Sequence, residues 1–467
     1  MKRLPVIIAS LLSAAGMWMG CAGGHSNLSR HPLPDTLVVG TVYSPTSFFI
    51  MRGDTMGYDY DRICDFARSR GIGLKFVVAR SLTALVDSLR HHHVDLVACE
   101  IPITAEYRQL VLSCGAVNET HQVLIQHAGD SIVTDVTQLV GRDVYVERGT
   151  KYESRLRNLD SELGGGIRIH PIGGDTLMPE DLIAMVQNRQ LPLTIVDSDI
   201  AMFNHTYYDS IDIGLKVSFP QRSSWAVRIE DQWLADSINA WSSSGNAQAY
   251  SKTALRRYFE LSKGLQHTDT AMRRTVPPGD ISPYDDLFKK YSPQLGWDWR
   301  LLAAIAYTES NFDPEVVSWA GARGIMQLMP STAAGYGLDM EHITDPEQNV
   351  RVAVLTLIDI EKMLAQRIVN PDERIKFIVA SYNAGVGHVL DAIELARKYD
   401  KDPNLWNGNV EEAILWKANP QYYNDSVCHY GYFRGRQTVA YVAEVEQHYL
   451  FYKNKYHKSN QTDKKQR

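Results

Sequence analysis

The chain has 467 residues, 44% of them hydrophobic and 22% charged, with a net charge of −6 at neutral pH. These values describe globular protein in two or three domains and exclude the basic field of a nucleic-acid binder. The five cysteines, Cys21, Cys64, Cys99, Cys114 and Cys428, form no CxxC pair, so neither a metal site nor a cofactor is expected.

Residues 1–20 carry Lys2 and Arg3 and then an apolar run from Leu4 to Met19, which reads as an export signal. The run is short and contains Pro5, which disfavours a permanent transmembrane helix. It ends on Gly20-Cys21-Ala22-Gly23-Gly24, which resembles a bacterial lipoprotein signal, with Trp18 where leucine is usual. The resemblance implies lipidation of Cys21 and a lipid anchor at the periplasmic face of the outer membrane. A plain cleaved signal with an incidental cysteine is the alternative. Residues 21–35 read as a tether.

From Thr36 strands alternate with helices. TLVVGTVY is a strand, GYDYDRICDFARSRG a helix, LKFVVA a strand, LTALVDSLRHHH a helix and VDLVACEI a strand. Such βαβ units imply a parallel sheet with helices on its faces. A second set runs through DVYVERGTKYESRLRNL, IRIHPIG, PEDLIAMVQNRQL and LTIVDSDIAM, followed by the late strand SSWAVRIE and the helix DQWLADSINAWSSS. Two α/β lobes with a late return to the first imply a hinged clamshell over residues 36–262. His91-His92-His93 is a solvated helix end rather than a metal site, because consecutive residues cannot share one helix face. Cys99 and Cys114 leave two readings open, a disulfide in an exported protein or two buried thiols.

Between Gly264 and Ser282 the pattern lapses, with Pro277-Pro278-Gly279, so residues 263–281 are the expected linker. Beyond it the chain turns helical through SPYDDLFKKYSPQ, WDWRLLAAIAYTES, VRVAVLTLIDIEKMLAQRIV, ERIKFIVASYNAG and GRQTVAYVAEVEQHYLFYKNKY. An all-α domain over 282–455, then a basic tail over 456–467, is expected.

Glu309 draws attention inside this domain. Trp297, Leu301 and Ile305 precede it at four-residue spacing, so it falls on an apolar helix stripe. Burial there disfavours the charged carboxylate, as a general acid working near neutral pH requires. Asn311, Asp313 and Pro314 end the helix. The following loop, with Gly321 and Gly324, lets backbone approach a ligand closely, and a groove of this kind suits a polar, uncharged polymer such as a sugar chain. A lone Glu at a helix end is more often solvated or ion-paired, so the surrounding blocks decide.

Four blocks, TESNFDP, SWAGARGIMQLMPSTA, DPEQNV and ASYNAGVGHV, resemble in order and spacing the lysozyme-like lytic transglycosylases. LVVGTV, GYDYDRICDFA, VDLVACEIPITAEYRQLVLSCGAV, VERGTKYESRL, TIVDSDIA and WAVR resemble the family 3 extracellular solute-binding proteins over residues 36–262. Together with YGYFRGRQTVAYVAEVEQHY they resemble the membrane-bound lytic transglycosylase F type. The implied fold is a multidomain one, an α/β two-lobed periplasmic-binding-protein-like domain followed by an all-α lysozyme-like (goose-type) catalytic domain. The implied substrate is the glycan strand of peptidoglycan. Glu309 would protonate the oxygen between N-acetylmuramic acid and N-acetylglucosamine, then act as base on the C6 hydroxyl of the same muramic sugar, leaving a 1,6-anhydro end. Asp345, the obvious second carboxylate, reads instead as a helix cap before Pro346.

The resemblance also implies that Tyr382 hydrogen-bonds near Glu309 and orients it. Ser318 and Gln327 would contact the sugars, Met329 would line the wall, and Asn383 with Gly385 would shape the groove. Gln437 stands where the family has Glu, which bears on substrate preference. In the first domain Thr104, Arg108 and Asp197 are the positions that match a grip on an amino acid or wall peptide, with Thr104 and Arg108 spaced one residue wider than usual. Two other functions remain: a silent amino-acid, muropeptide or glycan binder, and a muramidase that admits water.

Overall fold

The computed structural model describes residues 34–463 apart from 130, 173–178, 262–275 and 277–279, with the backbone alone for 455–463. The export signal, Cys21, most of the tether and linker, and the end of the basic tail lie outside the described residues.

The first lobe opens with β1 (Thr36–Val42), a short hairpin of β2 (Phe49–Met51) and β3 (Asp54–Met56), α1 (Tyr58–Arg70), β4 (Gly73–Ala79), α2 (Leu82–Arg90) and β5 (Leu96–Pro102). Gly71, left-handed at φ 67, ends α1, and the Ser81 hydroxyl caps α2 by accepting from Ala84 N. β6 (Leu112–Thr120) then leads through His121 into β7 (Gln122–His127) of the second lobe. That lobe adds β8 (Asp143–Glu147), α3 (Lys151–Glu162), β9 (Arg168–Ile172), α4 (Pro179–Gln187), β10 (Leu193–Asp197), α5 (Ser198–His205) and β11 (Ile211–Asp212). The chain returns as β12 (Gln221–Val227), followed by α6 (Gln232–Ser242) and α7 (Gly245–Leu255).

The strand orders are β4-β1-β5-β12-β6 and β11-β7-β10-β8-β9. β1 is parallel to β4 and β5, as βαβ crossovers require, whereas the returning β12 is antiparallel to β5 and β6. This return answers the cysteine question. Cys99 on β5 and Cys114 on β6 are separated by β12, with Trp225 paired to Cys114, so two strand spacings, about 10 Å, lie between them. Both are free, buried thiols.

The helical domain contains α8 (Asp285–Tyr291), α9 (Trp299–Ser310), α10 (Pro330–Gly335), α11 (Pro346–Leu364), α12 (Pro371–Ala384), α13 (Val386–Lys398), α14 (Glu411–Trp416), α15 (Pro420–Tyr423) and α16 (Gly435–Asp463). Its core gathers Leu302, Ile305, Val354, Leu357, Phe377 and Trp406. Asp345 caps α11, accepting from Gln348 N at 2.9 Å, with Pro346 in the first turn.

The two parts are joined through an apolar cluster to which both contribute: Phe49, Met56 and Tyr258 from the first, Ala322, Met329 and Tyr432 from the second. Polar bonds flank it. Arg257 donates to the carbonyls of Trp319 and Ala320 at 3.1 and 2.9 Å. Arg434 donates to Asn204 Oδ1 at 2.8 Å and lies 4.0 Å over the Tyr207 ring.

Candidate active site

Asp298 begins α9, its side chain accepting from Arg300 N at 3.0 Å, and Asn311 ends it at φ 52. Between them Leu301–Ala306 are buried, and the stripe delivers Glu309 to a position only 6% exposed. Ser310 Oγ donates to Ile325 O at 2.8 Å and so ties the end of α9 to the loop that follows.

That loop is held from α11. Asn349, fully buried, accepts from Met326 N at 2.8 Å and donates to the carbonyls of Ile343 and Arg323 at 2.7 and 3.1 Å. Gly324, at φ +80, is needed for this approach, since a Cβ there would stand 2.3 Å from the Asn349 amide. Asn349→Ala leaves two buried backbone groups unpaired, Met326 N and Ile343 O, while Arg323 O keeps the Leu328 amide. It should cost on the order of 3 kcal/mol, read as a lowered midpoint in urea unfolding.

Among the described residues the Glu309 carboxylate has two hydrogen-bond partners, Tyr441 and Arg52. The Tyr441 hydroxyl, on α16, donates to Oε1 at 2.7 Å. Nη2 of Arg52 donates to Oε1 and Oε2 at 3.0 and 2.9 Å, while its Nη1 donates to Gln327 O at 2.9 Å. Arg52 belongs to the first lobe, at the tip of the β2–β3 hairpin. Arg52 and Gly53 form its two-residue loop with φ of 51° and 87°, the left-handed geometry of a tight hairpin turn. Left-handed backbone is strained for an arginine and marks a position where function is to be sought.

The hairpin is fixed in the groove at several points. Arg52 N donates to Ala384 O at 3.2 Å, Ser331 Oγ donates to Asp54 Oδ2 at 2.8 Å, and His388 Nε2 lies 2.9 Å from Ile50 O. Gly385 permits the contact, because a Cβ there would stand 3.0 Å from Gly53 N. Burial and the nearby Lys417 ammonium push the His388 pKa well below the usual histidine range, so the ring is neutral and donates to the Ile50 carbonyl through Nε2–H.

Arg52, Gln327, Met329 and Tyr382 line a cavity of about 390 Å³ that continues past Tyr336 and Asp359. A second, narrow cavity of about 40 Å³ is bounded by Asn383, Gln437, Trp319 and Phe433 of the helical domain and by Phe49 and Tyr207 of the lobes. Hairpin residues line both, Ile50 among them.

The Tyr382 hydroxyl donates to Met326 O at 2.7 Å and does not bond Glu309. Tyr382 therefore supports the loop, and Tyr441 holds the carboxylate. The signal for Tyr441 lies in the Gln-Thr-x-x-Tyr-Val block, four residues beyond Gln437. Tyr441→Phe removes one hydrogen bond to a charged group, worth roughly 1.5–3 kcal/mol. Turnover on peptidoglycan should fall by about tenfold or more with KM little changed, as steady-state kinetics would show.

Gln327, at φ 49 and 4% exposed, donates its amide to Val316 O and Gly324 O at 3.0 and 2.9 Å. Ser318 Oγ accepts from Ala322 N at 3.0 Å. These side chains shape the loop from within. Met329 is buried in the shared apolar cluster, and Asn383 Oδ1 accepts from Thr438 Oγ1 at 2.7 Å beside Gln437.

Of the solute-domain positions, Thr104 and Arg108 follow β5 in the first lobe and Asp197 ends β10 in the second. Thr104 and Arg108 are exposed, the Thr104 hydroxyl accepts from Tyr107 N at 3.3 Å, and among the described residues the Arg108 guanidinium has no hydrogen-bond partner. Asp197 ends β10 in an ion pair with Lys151 and accepts from the Tyr152 hydroxyl at 3.2 Å. Among the described residues no group of histidine, cysteine and acidic side chains is placed to hold a metal.

Residues 37–261 match the family described as bacterial extracellular solute-binding proteins, family 3, and residues 286–405 match the transglycosylase SLT domain. The chain is 31% identical over 419 residues to a protein of Desulfosudis oleivorans named membrane-bound lytic murein transglycosylase F, covering 90% of each. It is 30% identical to the Pseudomonas fluorescens protein of that name, covering 94% of this chain and 90% of the relative. Among solved structures, substrate binding domain 2 of Lactococcus lactis GlnP in its open conformation is 16% identical, with a TM-score of 0.43 over 49% of this chain and 97% of that one.

Proposed function

This chain belongs to the membrane-bound lytic murein transglycosylase F family and is a peptidoglycan lytic transglycosylase, and from that premise we propose that Glu309 serves as both acid and base in forming 1,6-anhydro ends. The observation that carries the reading is a buried carboxylate held by Tyr441 next to a sugar-sized groove. Glu309 gives its proton to the glycosidic oxygen between N-acetylmuramic acid and N-acetylglucosamine as the C1–O bond breaks. The resulting carboxylate takes the proton of the muramic C6 hydroxyl as O6 bonds to C1. An internal nucleophile has a high effective molarity, so the second carboxylate of most glycosidases is dispensable. Asp345, spent on capping α11, is not required. Ser318, Gln327, Met329, Tyr382, Asn383 and Gln437 are the proposed walls of the glycan site.

The conformation described is a latent one. A guanidinium spanning both oxygens pairs with the anion, whereas the reaction begins with the acid and needs an oxygen free to face the glycosidic bond. The hairpin also stands where a glycan strand must run. A small ligand of the N-terminal domain activates the enzyme if it binds the undocked state more tightly than the docked one.

The protein is membrane-associated and periplasmic, in keeping with relatives named membrane-bound. Among the described residues no helix is long and apolar enough to cross a membrane; the proposed anchor is a lipid on Cys21 at the outer membrane, supported by the lipoprotein-like run that ends at Gly20-Cys21.

The test of enzyme against binding protein is the release of soluble muropeptides from purified sacculi. Release by the Arg52→Ala chain and none by Arg52→Ala/Glu309→Gln supports the reading. No release by either would return the chain to the glycan-binding alternative.

A further inference from the structure

The outer edge of the docked hairpin shows what the groove wall beneath it can hold. Among the described residues β2 pairs with β3 alone, so its other edge is left for different partners. Along that edge Ile50 O and Arg52 N meet the junction of α12 and α13. His388 Nε2–H donates to Ile50 O at 2.9 Å, and Arg52 N donates to Ala384 O at 3.2 Å. Ala384 is the last residue of α12, where a helix leaves its carbonyls without intrahelical partners. His388 lies in the first turn of α13 and is 1% exposed. The wall thus offers one main-chain acceptor and one imidazole donor, and in the docked state the hairpin backbone uses both.

Two further polar atoms of this wall, Ser381 Oγ and His388 Nδ1, are buried with no hydrogen-bond partner among the described residues. Ser381, like His388, is 1% exposed, and both line the cavity of about 390 Å³ beside the hairpin. Because Nε2 carries the ring proton, Nδ1 is an acceptor, and the Ser381 hydroxyl can donate or accept. Buried polar groups are normally satisfied, and each exception costs free energy unless a ligand completes it. Undocking the hairpin adds Ala384 O and His388 Nε2–H to the unsatisfied set.

The hairpin's own geometry says which ligand completes the set. In an extended chain the carbonyl of one residue and the amide of the second residue after it point to the same side. In a single trans amide the C=O and N–H point in opposite directions. One acetamido group of the glycan therefore reaches one of the two wall groups, whereas an extended peptide reaches both. Gly385 admits such a backbone, since a Cβ there would stand 3.2 Å from Arg52 Cα.

We propose that Ala384 O, His388 and Ser381 form a specificity site for the peptide stem of peptidoglycan, which lies along this wall as the hairpin edge does in the latent state. The inference rests on the groove being the glycan site of the proposed reaction. His388 and Ser381 are then specificity-determining residues, which act on the stem and not on the bond that breaks.

The test compares soluble glycan strands that keep their peptide stems with the same strands stripped by an N-acetylmuramoyl-L-alanine amidase, both cleaved by the full Arg52→Ala chain. The readout is the ratio of the two kcat/KM values. The docked fraction scales both values equally, so loosening the hairpin does not move the ratio. The Arg52→Ala chain should favour peptide-bearing strands. Adding His388→Phe, whose ring can stack on Phe433 as His388 does at 4.3 Å, should lower the ratio about threefold to tenfold, the loss of a hydrogen bond between neutral groups. Adding Ser381→Ala, which removes a hydroxyl without a partner, should lower it in the same direction with the melting temperature kept. A merely structural role would lower both values together. Cleavage of both substrates with no preference, or with a ratio that neither substitution moves, would overturn the inference and leave the role of Glu309 standing. Cleavage of neither substrate would overturn both, because the groove would then not be the glycan site.

Discussion

Replacing Arg52 by alanine is expected to raise the rate of peptidoglycan cleavage by at least about tenfold. The ion pair is buried, with the Arg52 and Glu309 side chains 13% and 4% exposed at 2.9 Å. Removing one member of such a pair leaves the other charge uncompensated, at a cost of about 3–5 kcal/mol to the state that contains it. That state is the docked one, and about 1.4 kcal/mol is a tenfold change in its population. The remaining contacts, Ser331 with Asp54, His388 with Ile50 and Arg434 with Asn204, still favour docking. Only part of the cost therefore appears as activity. Arg52→Lys should fall between, because an ammonium keeps the charge but cannot reproduce the guanidinium's simultaneous reach to Glu309 and Gln327 O. Initial rates of muropeptide release from sacculi decide this, and a rate equal to wild type would remove the latent reading.

Glu309→Gln is expected to abolish turnover, by about a thousandfold, because an amide cannot donate the proton or take it back. The same substitution should loosen the docked state. The amide that replaces the carboxylate keeps a carbonyl for Tyr441 but leaves the Arg52 guanidinium buried without its counter-charge. Binding of sacculi by the inactive chain should thus rise while release stays at background, in a pelleting assay beside a muropeptide assay. A carboxylate with a merely structural role would not separate the two readouts in opposite directions.

Much of the architecture was legible in the sequence, because βαβ alternation and long amphipathic helices are local patterns. The return of β12 to the first sheet was legible in SSWAVRIE, and with it the two-lobed plan. LTIVDSDIAM was harder: it holds the end of β10 and the start of α5, the switch coming at Asp197-Ser198, where strand gives way to helix. The β2–β3 hairpin was not legible at all. Its strands are three residues each, too short to show a period, and its turn carries Arg-Gly rather than a strong turn pair. The partner of Arg52 lies 257 positions away in sequence, and no local pattern reports such a contact.

The site divides along the same line. Glu309 was marked by the helix stripe and by its block. Tyr382 and Tyr441 were not separable in the sequence, since both are aromatic residues of helices and both are buried. What separates them is the path of the 313–329 loop, which brings Met326 O within 2.7 Å of the Tyr382 hydroxyl. That path depends in turn on Asn349, which reads in sequence as an ordinary polar residue of a helix first turn.

The most direct measurement is mass spectrometry of the soluble products released from purified sacculi by the Arg52→Ala chain, with Arg52→Ala/Glu309→Gln beside it. Muropeptides ending in 1,6-anhydro-N-acetylmuramic acid, absent from the double variant, are the expected result. Products with reducing ends, heavier by one water, would contradict an internal C6 nucleophile and make the enzyme a hydrolase.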